Sequence, residues 1–255
     1  MGAAAYGFFR SDGTPEGTFY FDRCCQLGDL TILNGELYFF SHPFEGEGTA
    51  ALWKSDATVA GTSFVTEITP GVQSDVSGAT ILDGKLLFFR GAVWPPPGTL
   101  SLWASDGTAA GTRPVTDIGT FPIAGSGTPP ASLPGPTTRV GDVLFFDAAI
   151  AGSGDELWIT DGTAPGTNLV RDIKVGEGNS FPASPAAVNG TLFFSADDGV
   201  HGRELWKTTP PLLPKPQRSQ YKNASQYCKA LRRFFGETEF SRRYKNHGEC
   251  VSANH

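Results

Sequence analysis

Apolar and polar positions alternate in short runs along most of this chain, and the runs recur as a unit. LWKSDATVAGTSFVTEI starts at Leu52, LWASDGTAAGTRPVTDI at Leu102, and ELWITDGTAPGTNLVRDI ends at Ile173. A worn copy, FFRSDGTPEGTFYFD, starts at Phe8, and RELWK from Arg203 opens a copy that stops short of its turn. In each unit two apolar-alternating runs flank Asp-Gly-Thr-x-x-Gly-Thr, where Gly reaches positive φ at little cost and Asp and Thr side chains bond nearby backbone N–H groups. The period of two predicts half-buried strands, and the Asp-Gly-Thr segment a tight reversal between them.

A second turn signal precedes each Trp strand. NGELYFF (34–40), DGKLLFF (83–89), GDVLFF (141–146) and NGTLFF (189–194) each run from a hairpin dipeptide into an aromatic strand. A shorter apolar run comes before that, as in LTIL (30–33), ATIL (79–82) and AAV (186–188). Each unit therefore holds about four antiparallel strands. The turn aspartates Asp12, Asp56, Asp106 and Asp161 step by 44, 50 and 55 residues. That spacing is the blade length of a β-propeller, so the expected fold is all-β, a propeller-like array of four to five blades. The uneven steps are absorbed by Pro/Gly-rich insertions at 92–101 and 123–136. Trp53, Trp103, Trp158 and Trp206 hold one repeat position inside an apolar strand, where packing between blades is expected.

The pattern ELW-x-x-DGT-x-x-GT, with LFFSADDGVHGRELW at 192–206, resembles the bacterial ELWxxDGT repeat proteins over about residues 6–209. The resemblance implies a repeat-built β fold and an exported or surface-associated chain, and little about chemistry. Phe9 stands where Trp is expected, Ala57 replaces a Gly, and the last copy lacks its turn.

Composition changes near residue 210. The chain has 255 residues and a net charge of −6, yet residues 215–255 carry nine Lys and Arg against three Glu. The body is thus strongly acidic, which argues against nucleic acid as a partner. We read residues 1–209 as the repeat domain, 210–218 as a Pro-rich linker and 219–255 as a basic helical hairpin. In the last segment Tyr227, Leu231 and Phe234 or Phe235 recur at helical spacing, Gly236 ends that helix, and Phe240 and Tyr244 start another. Cys228 and Cys250 bracket the segment and are expected to form a disulfide, which needs an oxidising compartment. The tail is also similar to a short cysteine-bracketed module of actinobacterial exported proteins. Adjacent Cys24 and Cys25 either have distant partners or are free.

The N-terminus has no basic start and no signal-like apolar core, and it enters the repeat at the Trp-equivalent strand. Two readings stand: a piece of a longer exported chain, or a ring in which the hairpin at 6–22 completes the blade begun at 183–207. No run is long and apolar enough to span a membrane.

Candidate chemistry is sparse. Asp197, Asp198, His201 and Glu204 form the densest group of potential ligands, readable as a calcium-type loop or as a turn, and calcium takes about six to eight oxygens. The repeated aspartates read as turn formers, with repeated calcium sites as the other option. Trp94, in AVWPPPG, has no repeat equivalent and is a candidate contact residue. No G-x-S-x-G, P-loop or HExxH motif is present. The expectation is a non-enzymatic exported module that binds protein or glycan without a cofactor. The two alternatives are a secreted hydrolase or lyase with an acidic site at the propeller axis, and a structural segment of a longer surface array.

Overall fold

The computed structural model describes residues 8–11, 13–22, 26–42, 50–58, 60–68, 70, 74–92, 98–121, 133–210, 223–229, 231 and 244–253. The strands come in sets, as the repeat dictates. β3 (Gln26–Leu33), β4 (Glu36–His42), β5 (Ala51–Ser55) and β6 (Ser63–Glu67) form one antiparallel sheet in sequence order. β7 (Ser74–Leu82), β8 (Lys85–Ala92), β9 (Gly98–Ser105) and β10 (Arg113–Phe121) form the next. β11 (Thr138–Val140), β12 (Val143–Ile150), β13 (Gly154–Thr160) and β14 (Asn168–Arg171) form the third. β15 (Ala183–Val188), β16 (Thr191–Asp197) and β17 (Arg203–Thr208) make a three-stranded sheet. Among the described residues β1 (Phe8–Arg10) and β2 (Phe19–Asp22) pair only with each other and are not hydrogen-bonded to the sheet of β15–β17.

One cross-strand pair sets the register in all four larger sheets: Phe39 faces Trp53, Phe88 faces Trp103, Phe146 faces Trp158 and Phe194 faces Trp206. Because side chains alternate across a strand, this pairing gives every sheet two distinct faces. The face bearing the Phe/Trp pair packs against the preceding sheet, and the opposite face against the following one. Tyr38, Phe40 and Leu52 of the first sheet thus meet Leu86, Phe88 and Trp103 of the second. Leu87, Phe89 and Leu102 of the second meet Leu144, Phe146 and Trp158 of the third. Phe145, Leu157 and Ile159 of the third meet Leu192, Phe194 and Trp206 of the fourth. Trp103 is buried, and Trp158 and Trp206 are partly buried against the second and third of these interfaces. Trp53 sits on the face of the first sheet that no sheet of this series covers; it stacks on Phe39 and meets Phe64 edge-on.

The turns explain the motif residue by residue. Asp56 Oδ1 accepts from the Thr58 N–H at 2.8 Å and from its hydroxyl at 2.7 Å, and Thr58 Oγ1 in turn accepts from the Gly61 N–H at 2.9 Å. Asp106 and Asp161 do the same with Thr108 and Thr163. Asp12 lies outside the described residues. The second glycine is required because a Cβ at Gly61, Gly111 or Gly166 would stand about 2 Å from the turn carboxylate. The first is required by φ: Gly107 and Gly162 sit at +93° and +81°, and Ala57 is forced to +68° in the same place.

The first strand of three sheets carries an unforeseen bulge, with Asp29, Gly78 and Ser184 at positive φ where the pairing register slips. β3 lies beside β7, and β11 beside β15, so the first strands of neighbouring sheets adjoin in these two pairs.

Near the C-terminus, residues 224–229 are helical and Cys228 is disulfide-bonded to Cys250, with Cα atoms 5.9 Å apart. Tyr227, Leu231 and the two cysteines form a small core of their own, with Tyr244 and Val251 against it. The second helix is His247–Ala253, later than the spacing of Phe240 and Tyr244 suggested, because Asn246 caps it by accepting from the Glu249 N–H. Phe234, Phe235, Gly236 and Phe240, the linker at 211–218, Cys24, Cys25 and Trp94 lie outside the described residues. Among the described residues no helix is long and apolar enough to cross a membrane.

An L-residue in the left-handed region costs about 1–2 kcal/mol, partly offset by the unfolded-chain entropy of a glycine. Ala57→Gly is therefore expected to stabilise the chain by about 0.5–1 kcal/mol, read as a higher denaturant midpoint. A lower midpoint contradicts the strain assigned to this turn.

Candidate functional site

The ligand-rich loop at 197–204 resolves into a hydrogen-bonded turn. Asp197 accepts from Lys174 Nζ at 3.0 Å and from the Gly199 N–H at 2.8 Å. Asp198 accepts from the Val200 and His201 N–H groups, and its other oxygen lies 2.8 Å from His201 Nδ1. These bonds hold the Asp198 carboxyl below the usual carboxylate range and raise the imidazole of His201. Asp198, His201 and Glu204 place ligand atoms within 4.8 Å of one another, whereas Asp197 is turned to Lys174.

A different pair of carboxylates occupies an interface. In the alignment set by the Phe/Trp pairs, Phe40, Phe89, Asp147 and Ser195 are equivalent, one residue past the paired Phe. Ala50, Leu100, Asp155 and Arg203 are equivalent likewise, three residues before each Trp. Phe40, Phe89, Ala50 and Leu100 are fully buried core of the first two interfaces. The third sheet puts an acid at both places.

Asp147 is opposite Leu157, and Asp155 is opposite Ala149, so the two acids are diagonal neighbours on one face of β12 and β13. Such neighbours lie about 7–8 Å apart, within mutual electrostatic reach. Burial pushes the Asp147 carboxyl up. Burial first, and then the charges of Asp147 and Glu156, push Asp155 up to about 6. Asp155 Oδ1 is buried without a hydrogen-bond partner. The Asp155 main chain is fixed: its N–H donates to Asn179 Oδ1 at 2.8 Å, and its carbonyl accepts from Ser180 N–H at 3.0 Å.

Glu156 is of another kind. It is fully buried on the opposite face and accepts from the Ile173 and Lys174 N–H groups and from Ser180 Oγ, so its role is to anchor the chain after β14.

Asp147 lines a cleft of about 280 Å³ between the third and fourth sheets, walled by Phe145, Leu157, Phe194 and prolines 182 and 185, with Thr138 and Ser184 at its edge. Sequence reading missed both acids because they fall on the apolar phase of their strands without any motif. Counting from the turn dipeptide exposes Asp147: NGELYFF and DGKLLFF both have Phe as seventh residue, and GDVLFFD has Asp.

No family model and no curated protein matches this chain. It has low-level likeness to solved structures. An endo-arabinase from Bacteroides thetaiotaomicron is 15% identical, with 73% of this chain and 74% of that one covered and a TM-score of 0.38. An α-L-arabinofuranosidase from Fusarium graminearum is 12% identical, with 70% and 59% covered and a TM-score of 0.42. An uncharacterized protein from Listeria monocytogenes is 11% identical, with 80% and 59% covered and a TM-score of 0.39. At these scores the likeness assigns no activity to this chain. The expectation of a non-catalytic binding scaffold is corrected: the third sheet places two half-buried acids, Asp155 among them pushed up to about 6, where the first two sheets carry apolar core residues.

Because the carboxyl of Asp155 binds its proton more tightly in the folded chain than in the unfolded one, its protonation supports the fold. That support is complete below the ordinary aspartate pKa near 4 and is lost as pH rises through about 6. Asp155→Asn is thus expected to be more stable than the parent at pH 7, on the order of 1–2 kcal/mol after allowance for solvent screening, and similar at pH 4. Melting curves at the two pH values check this; an equal difference at both contradicts it.

Proposed function

We infer that this chain is a hydrolase that cleaves an acetal linkage, as a glycosidase does, with Asp155 as general acid and Asp147 as base or nucleophile. The observation that carries this reading is the replacement of two buried apolar residues by diagonal carboxylates, one of which, Asp147, lines a cleft. Acetal cleavage needs a carboxylic acid to protonate the leaving oxygen and a carboxylate across the reacting carbon. Neighbouring acids whose environments separate their pKa values are fitted to divide those roles. Asp155, with its proton held up to about pH 6, suits the donor.

The cleft, at about 280 Å³, is at the lower end of ligand pockets, about 300–1,000 Å³, and has the apolar walls and few polar groups usual for them. The proposed partner is a glycan, the substrate class that acetal cleavage by a carboxylic acid and a carboxylate serves. The Cys228–Cys250 disulfide is consistent with work outside a reducing compartment.

The test is release of chromophore or reducing ends from a panel of aryl glycosides and soluble polysaccharides. The expected result is hydrolysis that falls as pH rises through about 6, with kcat/KM lowered about 10²–10⁴-fold in Asp155→Asn. Asp147→Asn is expected to lose activity to a similar extent, with both variants folded by circular dichroism. Hydrolysis that survives Asp155→Asn with an unchanged pH profile contradicts the assignment.

A further inference from the structure

The same face-to-face rule that builds the molecule leaves a bare surface at each end of the series. The following-sheet face of β15–β17 keeps apolar residues at two positions that are core elsewhere, flanked by Arg203 and Lys207 where the second sheet has Leu100 and Ala104. Leu52, Leu102 and Leu157 are 0%, 1% and 3% exposed, and their equivalent in the last sheet, Leu205, is 78% exposed. Leu33, Leu82 and Val140 are buried, and their equivalent Val188 is 50% exposed. At the other end, Ala79 and Ile81 of β7 pack against the first sheet, but their equivalents in β3, Leu30 and Ile32, are 57% and 67% exposed. Phe64, across β5 on that face, is exposed as well.

The two bare surfaces are therefore not alike. One is the half-interface that a sheet offers to its successor, and the other is the half that it offers to its predecessor. Three times within the chain such halves meet and form a continuous apolar core. We propose that the face of β15–β17 around Leu205 and Val188 binds the face of β3–β6 around Leu30 and Ile32 of a second copy, head to tail. The occupant is chosen by continuity: the only surface in the described residues with the alternation and register of a successor sheet's receiving face is the one at the other end of the chain. Within one molecule both faces stand open to solvent, so they do not satisfy each other. The contact is heterologous, and it makes chains or rings of copies rather than an isolated symmetric pair. Exposed apolar surface of this kind is what association removes from water. The proposed cleft lies in a different interface and stays open.

Sedimentation of the full chain over a wide concentration range tests this. The average mass is expected to climb past that of one chain, and Leu205→Arg and Ile32→Arg are each expected to weaken association at least tenfold. Each variant keeps one intact half, so an equimolar mixture is expected to give two-chain complexes and nothing larger. Both positions face solvent, so melting temperatures stay near the parent's; Leu205→Ser and Ile32→Ser repeat the experiment should either Arg variant fail to fold. A parent chain that remains a monomer up to about 1 mM overturns the proposal. So does an Ile32→Arg chain that associates as well as the parent, which means that like faces meet, or a mixture that forms no complex.

Discussion

The four-sheet body of this molecule depends on one contact, the packing of a sheet's Phe/Trp face against the opposite face of the sheet before it. The contact is asymmetric because each strand alternates, and the Phe–Trp cross-strand pair fixes which side chains fall on which face. In three sheets that pair is stacked, with ring centroids 6.1 to 6.4 Å apart. The turns serve this arrangement: after Trp53, Trp103 and Trp158 an Asp, a Thr and the second glycine close the hairpin with the same short set of hydrogen bonds.

A rule repeated three times makes its exceptions informative. Burying a carboxylate where the fold otherwise buries Phe or Leu is costly unless the charge is paired or removed. At Asp155 the proton is retained up to about pH 6, which is how the fold tolerates the group. An acid that holds its proton up to about pH 6 beside a second acid is suited to proton transfer, which a pure packing surface does not call for. The last sheet resolves the same two positions differently: Arg203 donates to Ser195 Oγ at 2.9 Å and to the Phe181 carbonyl at 2.9 Å, a purely polar tie.

Much of the fold was legible in the sequence. The Asp-Gly-Thr turns, the hairpin dipeptides and the period of two give the strands and their antiparallel order, and the cysteine bracket gives the disulfide. The bulges at Asp29, Gly78 and Ser184 were not legible, since three unlike residues occupy one left-handed position. The helix His247–Ala253 was not legible either, since its start is set by the cap at Asn246 rather than by aromatic spacing. The acid pair was hidden for a physical reason: an Asp following two Phe reads as the polar phase of a strand, and only its place in the repeat, confirmed by the register against Trp158, shows that it lies on the core phase. The loop at 197–204 drew attention by its density of ligands, yet those side chains are engaged with their own turn and with Lys174.

The central claim is that Asp147 and Asp155 share one half-buried electrostatic environment on the face of the third sheet that meets the fourth. A pH titration of the aspartate side-chain carboxyl carbons by NMR tests it most directly. The account predicts that Asp155 titrates at about 6 and that Asp147→Asn moves this midpoint down, because the Asp147 charge contributes to it. An Asp155 midpoint near the ordinary value of about 4, indifferent to Asp147, would contradict it.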